Sequence, residues 1–151
     1  MSAQPDDARV TAELRGVLDA ARAFAHERID ALGEPDAEIA PFAVVEAPGG
    51  SRVVLLEDVA EHLDSPAGVN RVAATLLGRY EAESFAIASR AWASPTGTAE
   101  HPQAREVLRI IVGHASGLGG ALFAAIERGG RRVRLSPIWQ TNADAEGEPV
   151  G

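Results

Sequence analysis

The apolar residues of the N-terminal part recur at helical spacing. From about Asp6 to Leu32 they return every three or four residues, and polar side chains occupy the opposite face. Gly33 and then Pro35 end the pattern, because neither residue favours a continuing helix. The pattern predicts an amphipathic helix that begins at Asp6 or Asp7, ends near Leu32 and buries one face against a sheet or another helix.

A hairpin and a second helix are predicted next. Residues 41–47 and 52–57 are short apolar stretches on either side of a Pro-Gly-Gly sequence, which is typical of a β-hairpin. Ser65 is a suitable N-cap and Pro66 suits the first helical position. A second helix is therefore predicted from Pro66 to about Tyr80.

The second half of the chain consists of apolar stretches joined by short turns, which predicts strands. The strands are expected at residues 83–94, 104–115, 121–128 and 131–139. The segment Val107–Val112 is strongly apolar apart from Arg109, and residues 110–112 are apolar on both faces, which predicts a central strand that is covered on both faces there. Short turns join antiparallel neighbours, so the order α-β-β-α-β-β-β-β predicts an α+β fold, with one antiparallel sheet of five to six strands and two helices packed against it.

One domain is expected over residues 1–139, since 151 residues suffice for a single core. Residues 140–151 are acidic and offer no apolar run to bury, so a disordered tail is predicted there. The chain contains neither cysteine nor lysine. Thiolate zinc sites, cysteine nucleophiles, Walker-type phosphate loops and Schiff-base chemistry are therefore excluded.

The charge and hydropathy of the chain restrict its partners. A net charge of -8 argues against nucleic-acid binding, because a duplex would repel the protein. No apolar run approaches the roughly 20 residues that span a membrane, and no signal peptide is recognisable. These features predict a cytoplasmic protein with no membrane partner.

Two short motifs carry a resemblance to a known group of proteins. Ala91-Trp92 is followed, after a loop, by Glu100-His101-Pro102 and by Arg105-Glu106-Val107. In this the chain resembles a family of small phage and bacterial proteins of unknown function that share an EAW…HPDRxE pattern. Arg90 stands where that family usually has an acid, and Gln103 where an aspartate is common. The resemblance implies an α+β domain associated with phages or mobile elements, and it implies no catalytic residues.

His101, Arg105 and Glu106 are the candidate catalytic residues. A histidine beside a carboxylate and an arginine can perform acid–base chemistry near neutral pH. Glu100 and His114 extend the group, but His114 should lie about 30 Å from Arg105 along one strand, at roughly 3.3 Å per residue. The alternative is structural: Glu106 pairs with neighbours at the strand start, and the arginine binds backbone carbonyls.

Gly117, Gly119 and Gly120 are the candidate ligand-binding residues. They follow an apolar strand, as the glycines of a phosphate-binding loop do, but such a loop must open a helix. The two-turn segment before Gly129-Gly130 is short for that purpose, so a hairpin turn is favoured. His26 and Asp30 share a helical face in a sequence similar to H-E-x-x-H, yet no third ligand is marked. No metal and no cofactor are predicted.

The leading hypothesis is a non-enzymatic interaction protein that self-associates as a homodimer, with the protein partner beyond itself undefined. It depends on two surfaces: the amphipathic first helix and an edge strand. The alternatives are an acid–base hydrolase centred on His101, Arg105 and Glu106, and a nucleotide or small-ligand binder at the 117–120 turn.

Overall fold

The computed structural model describes residues 12–93, 104–117 and 119–140. Within them the chain forms two α-helices, one 3-10 helix and six strands. In chain order these are α1 (Ala12–Asp30), β1 (Phe42–Ala47), β2 (Gly50–Leu55), the 3-10 helix η1 (Glu57–Asp64), α2 (Pro66–Tyr80), β3 (Ser84–Ala93), β4 (Arg105–His114), β5 (Gly119–Glu127) and β6 (Arg134–Leu135). The predicted order of helices and strands and the α+β class are confirmed.

The described strands form one antiparallel sheet in the order β2-β1-β3-β4-β5-β6. The two ten-residue strands, β3 and β4, pair along their whole length at its centre. Ile110 and Val112 on β4 are 0% and 2% exposed beneath α1, Ile111 on the opposite face is partly buried, and β4 has a strand on each side, so the predicted central strand is confirmed. The sheet has two edges, β2 on one side and the short β6 on the other.

The two α-helices cover opposite faces of the sheet. Successive strand residues point to opposite faces, so each long strand supplies two sets of apolar side chains. One set packs with α1, including Phe42, Ala86 and Ile110. The other packs with α2 and η1, including Val45 and Ile87. We call these the α1 face and the α2 face.

Local sequence signals account for α2. The Ser65 side chain accepts a hydrogen bond from the Gly68 backbone N–H at 3.1 Å, and Pro66 follows it at the start of the helix. At the other end Glu81 adopts a left-handed conformation with φ of 52°, and its N–H bonds back to the last turn. The predicted bounds of this helix are confirmed.

The last predicted strand is largely wrong. Only Arg134 and Leu135 pair with β5, where residues 131–139 were expected to form a strand. Pro137 has no N–H to donate to a ladder, and the chain leaves the sheet before it. A single bridge then returns at Gln140, whose N–H and carbonyl both bond to Phe123, at 2.8 and 2.7 Å. Gln140 is the first residue of the predicted tail, whereas residues 141–151 and the residues 94–103 between β3 and β4 lie outside the described residues.

Candidate functional site

The candidate catalytic group is not assembled on one surface. Arg105 and Glu106 are consecutive on β4; Arg105 is in register with Ala93 on the α2 face, and Glu106 with Trp92 on the α1 face. Their side chains therefore point to opposite sides of the sheet. His101 lies outside the described residues.

Glu106 is the centre of an ion-pair network. One of its carboxylate oxygens accepts a hydrogen bond from Arg128 Nε at 2.6 Å, and the other accepts bonds from Arg128 Nη2 at 2.9 Å and Arg90 Nη1 at 3.2 Å. The Glu106 side chain is only 10% exposed. Arg128 also donates to the carbonyls of Pro35 and Ala37 at 2.9 and 2.8 Å. The network thus ties the segment between α1 and β1 to the start of β4.

The two partners shift the acidity of Glu106. Burial alone would raise the pKa of this carboxyl, but the hydrogen bonds and charges of Arg128 and Arg90 outweigh it, and the pKa is lower than the usual 4.5. The hydrogen bond to Glu106 in turn raises the pKa of Arg128. Glu106 is therefore an anion at neutral pH whose oxygens are occupied by guanidinium groups, and it is poorly suited to receive a substrate proton.

A pH titration of stability should show this pairing. The folded-state pKa of Glu106 lies below the unfolded one, so its stabilising effect is complete above about pH 4.5 and is lost as the pH falls through the folded-state value. The difference in unfolding free energy between wild type and Glu106→Gln, from urea denaturation, should therefore shrink below about pH 4.5. A difference that stays constant down to acid pH would contradict the pairing.

Arg109 is a further arginine whose side chain joins separate parts of the fold. Its Nη2 donates to the Leu63 carbonyl at 3.0 Å and to the Ser89 hydroxyl at 3.2 Å, so it joins the end of η1 to the centre of the sheet. Burial lowers the pKa of Arg109, and the charge of Asp64 opposes that shift. Its buried Nε has no hydrogen-bond partner within the described residues.

The glycine turn joins two strands. The strand β5 begins at Gly119, and Gly120 is already in register with Val112 of β4. Gly117 has φ of 106°, a conformation that favours glycine in a tight turn. The predicted hairpin is confirmed, and residues 119–127, which would have to open a helix to bind a phosphate, form a strand. His114 at the end of β4 uses its Nδ1 to accept from the Ser116 N–H at 3.0 Å.

Within residues 12–93, 104–117 and 119–140, no group of three or more His, Asp or Glu side chains is placed to hold a metal ion. His26 packs edge-on against Trp139, with ring centroids 5.9 Å apart. The backbone carbonyl of Asp30 accepts from Arg132 at 3.5 Å. The H-E-x-x-H-like sequence therefore lies where the end of α1 contacts Arg132 and Trp139, on either side of β6 in the chain.

The free edge of the sheet at β2 exposes apolar side chains. Val53 and Leu55 are 46% and 53% exposed. They are in register with Val44 and Phe42 of β1 and so share the α1 face. One side of β2 pairs with β1, and the backbone groups of the other side have no strand beside them among the described residues. We call this feature the β2 edge.

A groove opens beside this strand on the side of α2. It has a volume of about 360 Å³ and lies between η1, α2 and the end of β2. Its apolar wall consists of Val54, Leu55, Leu56, Val59, Val72, Leu76 and Tyr80. Its polar lining consists of Asp58, His62, Arg71, Thr75 and Arg79. We call it the α2 groove.

Sequence reasoning missed both surfaces. The first predicted surface, the apolar face of the N-terminal helix, is not available, because Leu14, Val17 and Leu18 are buried on the chain's own sheet. The alternation of apolar residues and arginines in residues 131–139 favoured that predicted strand as the exposed edge, whereas in the described sheet the longer edge strand is β2. The sequence signal that could have indicated the α2 groove is the pair Arg71 and Arg79, which are eight residues apart on α2.

The sequence matches no protein-family model and no curated protein, and no solved structure matches the fold. None of the described helices is both long enough and apolar enough to cross a membrane.

Proposed function

We propose that this chain is a non-enzymatic interaction protein that self-associates as a homodimer through the β2 edge. The observation that carries this is the pair of exposed apolar side chains, Val53 and Leu55, on an edge strand whose outer backbone groups face no neighbouring strand in the described part of the chain. An open, apolar strand edge pairs readily with another chain, and proteins that stay monomeric usually protect such edges with charge or proline.

A two-fold axis perpendicular to the sheet gives the simplest dimer. It pairs β2 with the β2 strand of a second copy in antiparallel orientation and keeps the α1 faces of both copies on the same side. The exposed Val53 and Leu55 side chains of both copies then meet on that face. Burial of these side chains adds to the backbone hydrogen bonds of the new ladder.

The arrangement of the charged residues supports a role without catalysis. Glu106 is bound by Arg128 and Arg90, and Arg109 is bound to Leu63 and Ser89. Their contacts join segments that are far apart in the sequence, which is a structural task. The phage or mobile-element association and the cytoplasmic location stay predictions from the sequence.

Light scattering on a size-exclusion column tests the homodimer. Wild type should have twice the mass of one chain, and Val53→Asp should have the mass of one chain, because a carboxylate on the edge would be desolvated on pairing. Val53→Thr keeps the β-branched shape and should weaken the dimer with less risk to folding.

Ile138 provides the matched control. It is 66% exposed and lies away from the β2 edge, so Ile138→Asp removes an exposed apolar side chain without touching the interface. This variant should remain a dimer. A wild-type protein that stays monomeric at the highest attainable concentration, or a Val53→Asp variant that is folded and still dimeric, refutes the proposal.

A further inference from the structure

We propose that the α2 groove binds an extended acidic segment of another protein, anchored by one apolar side chain. This extends the interaction role to a second surface and does not depend on the homodimer. Leu55 borders both surfaces, but Val53 points to the α1 face and does not line the groove, so variants at Val53 and at Arg71 and Arg79 test the two surfaces separately.

The apolar wall of the groove accounts for the anchor. Val59 of η1 and Val72 and Tyr80 of α2 are only partly buried, although they pack against the α2-face core. A volume of about 360 Å³ is enough for a large aliphatic side chain and the adjacent backbone. The groove is open to solvent and is not an enclosed cavity, which favours a segment of extended chain over a small molecule.

The charges at the rim account for the acidic partner. Arg71 and Arg79 are exposed, and within the described residues neither guanidinium forms a hydrogen bond or an ion pair. Arg52 lies on the same face of β2, two residues from Val54 in the groove wall. Among the described residues that line the groove Asp58 is the one carboxylate, and the exposed Glu57 and Glu61 of η1 do not line it. This positive rim contrasts with the net charge of -8 on the whole chain, so it favours an acidic ligand locally.

The spacing of the two arginines on α2 determines the spacing of the acidic residues in the bound segment. Arg71 and Arg79 are separated by eight residues, or about 12 Å along the helix at roughly 1.5 Å per residue. In an extended peptide, side chains on one side repeat about every 6.7 Å, so two acids four residues apart lie about 13 Å apart. The residue midway between them points the same way and faces the apolar wall. The recognised pattern is therefore acid-x-apolar-x-acid.

Fluorescence polarisation with a designed peptide tests this pattern. The probe is fluorescein-labelled Gly-Glu-Thr-Leu-Thr-Glu-Gly with a C-terminal amide, titrated with the full chain at low salt. Replacing both glutamates by glutamine should weaken binding about fivefold or more, because two exposed ion pairs are lost. Replacing leucine by alanine should weaken it roughly tenfold, since the apolar anchor is lost.

Variants of the protein complete the experiment. Arg71→Gln/Arg79→Gln should bind the probe about fivefold or more weakly, and the loss should diminish as salt is added. Arg15→Gln/Arg134→Gln removes two exposed arginines away from the groove and should bind as wild type does. The inference is overturned if the probe does not bind, if the glutamine or alanine peptide binds equally well, or if the Arg71/Arg79 variant matches wild type.

The oligomeric state separates this result from the homodimer. The Arg71→Gln/Arg79→Gln variant should have the same mass as wild type by light scattering. Loss of probe binding at unchanged mass then identifies the groove as the binding site. Probe binding by a chain that is monomeric would contradict only the homodimer and would leave the groove proposal intact.

Discussion

Replacing Gly68 with alanine is expected to lower the free energy of unfolding by about 3 kcal/mol, the upper end for overpacking a well-packed site. A Cβ at this position would lie 1.7 Å from the carbonyl oxygen of His62 and 2.8 Å from its carbonyl carbon. Both are backbone atoms of η1, so no side-chain rotation can relieve the clash. The whole of η1 would have to move away from the first turn of α2.

Gly78 in the same helix is the matched control. Nothing lies within 4 Å of a Cβ placed there, so Gly78→Ala should gain about 0.5–1 kcal/mol from helix propensity. Urea denaturation followed by circular dichroism measures both variants. Equal stabilities for the two would mean that η1 is not held against α2, and the wall of the α2 groove would then be wrongly placed.

Replacing Glu106 with alanine is expected to cost about 2–3 kcal/mol of unfolding free energy. Removal of one partner from a buried ion pair typically costs 3–5 kcal/mol, and partial exposure of Arg128 reduces the figure. The Arg128 side chain is 26% exposed and Arg90 is 47% exposed, so water replaces part of what they lose. The attachment of Pro35 and Ala37 to the sheet should loosen as well, since Arg128 would no longer be fixed in position.

Glu127 is the control for this variant. It is an exposed carboxylate next to Arg128 in the chain, and its replacement by alanine should change stability by no more than about 0.5 kcal/mol. A loss of that same small size for Glu106→Ala would show that the network contributes little. The structural interpretation of Glu106 would then have to be abandoned.

Local signals predicted the helices and hairpins well. The Ser65-Pro66 cap of α2 depends only on residues within one turn, so the sequence contains all the information that the helix start needs. The turn at Gly117 is similar, because a two-strand hairpin is closed by its own residues. The last strand was predicted wrongly although its signal was local, because Pro137 lies within the predicted range 131–139 and ended the strand early.

Strand order could not be read from the chain. The strand β1 lies between β2 and β3, and this places β2 at an edge although its apolar residues resemble those of an inner strand. The exposure of Val53 and Leu55 follows from that order and from the reach of α1, neither of which is a local property. The hydrophobic periodicity of the sequence therefore could not predict the proposed interaction surface.

Pairing of Glu106 with neighbouring residues was the structural alternative, but the sequence did not identify the partners. One partner, Arg90, lies on the adjacent strand. Arg128, however, is twenty-two residues away in sequence and reaches Glu106 because it follows directly after β5, beside β4. Arg128 also binds backbone carbonyls, as Arg109 and Arg132 do, a task that the sequence had suggested for Arg105.

The most direct test of the account is amide hydrogen exchange across β2 as a function of protein concentration. In a monomer the outward-facing amides of Gly50–Leu55 are open to solvent and exchange quickly, whereas a second strand beside them slows their exchange. A homodimer through the β2 edge predicts protection of this strand that grows with concentration and is absent in Val53→Asp. Exchange that stays fast and constant at every concentration would contradict it.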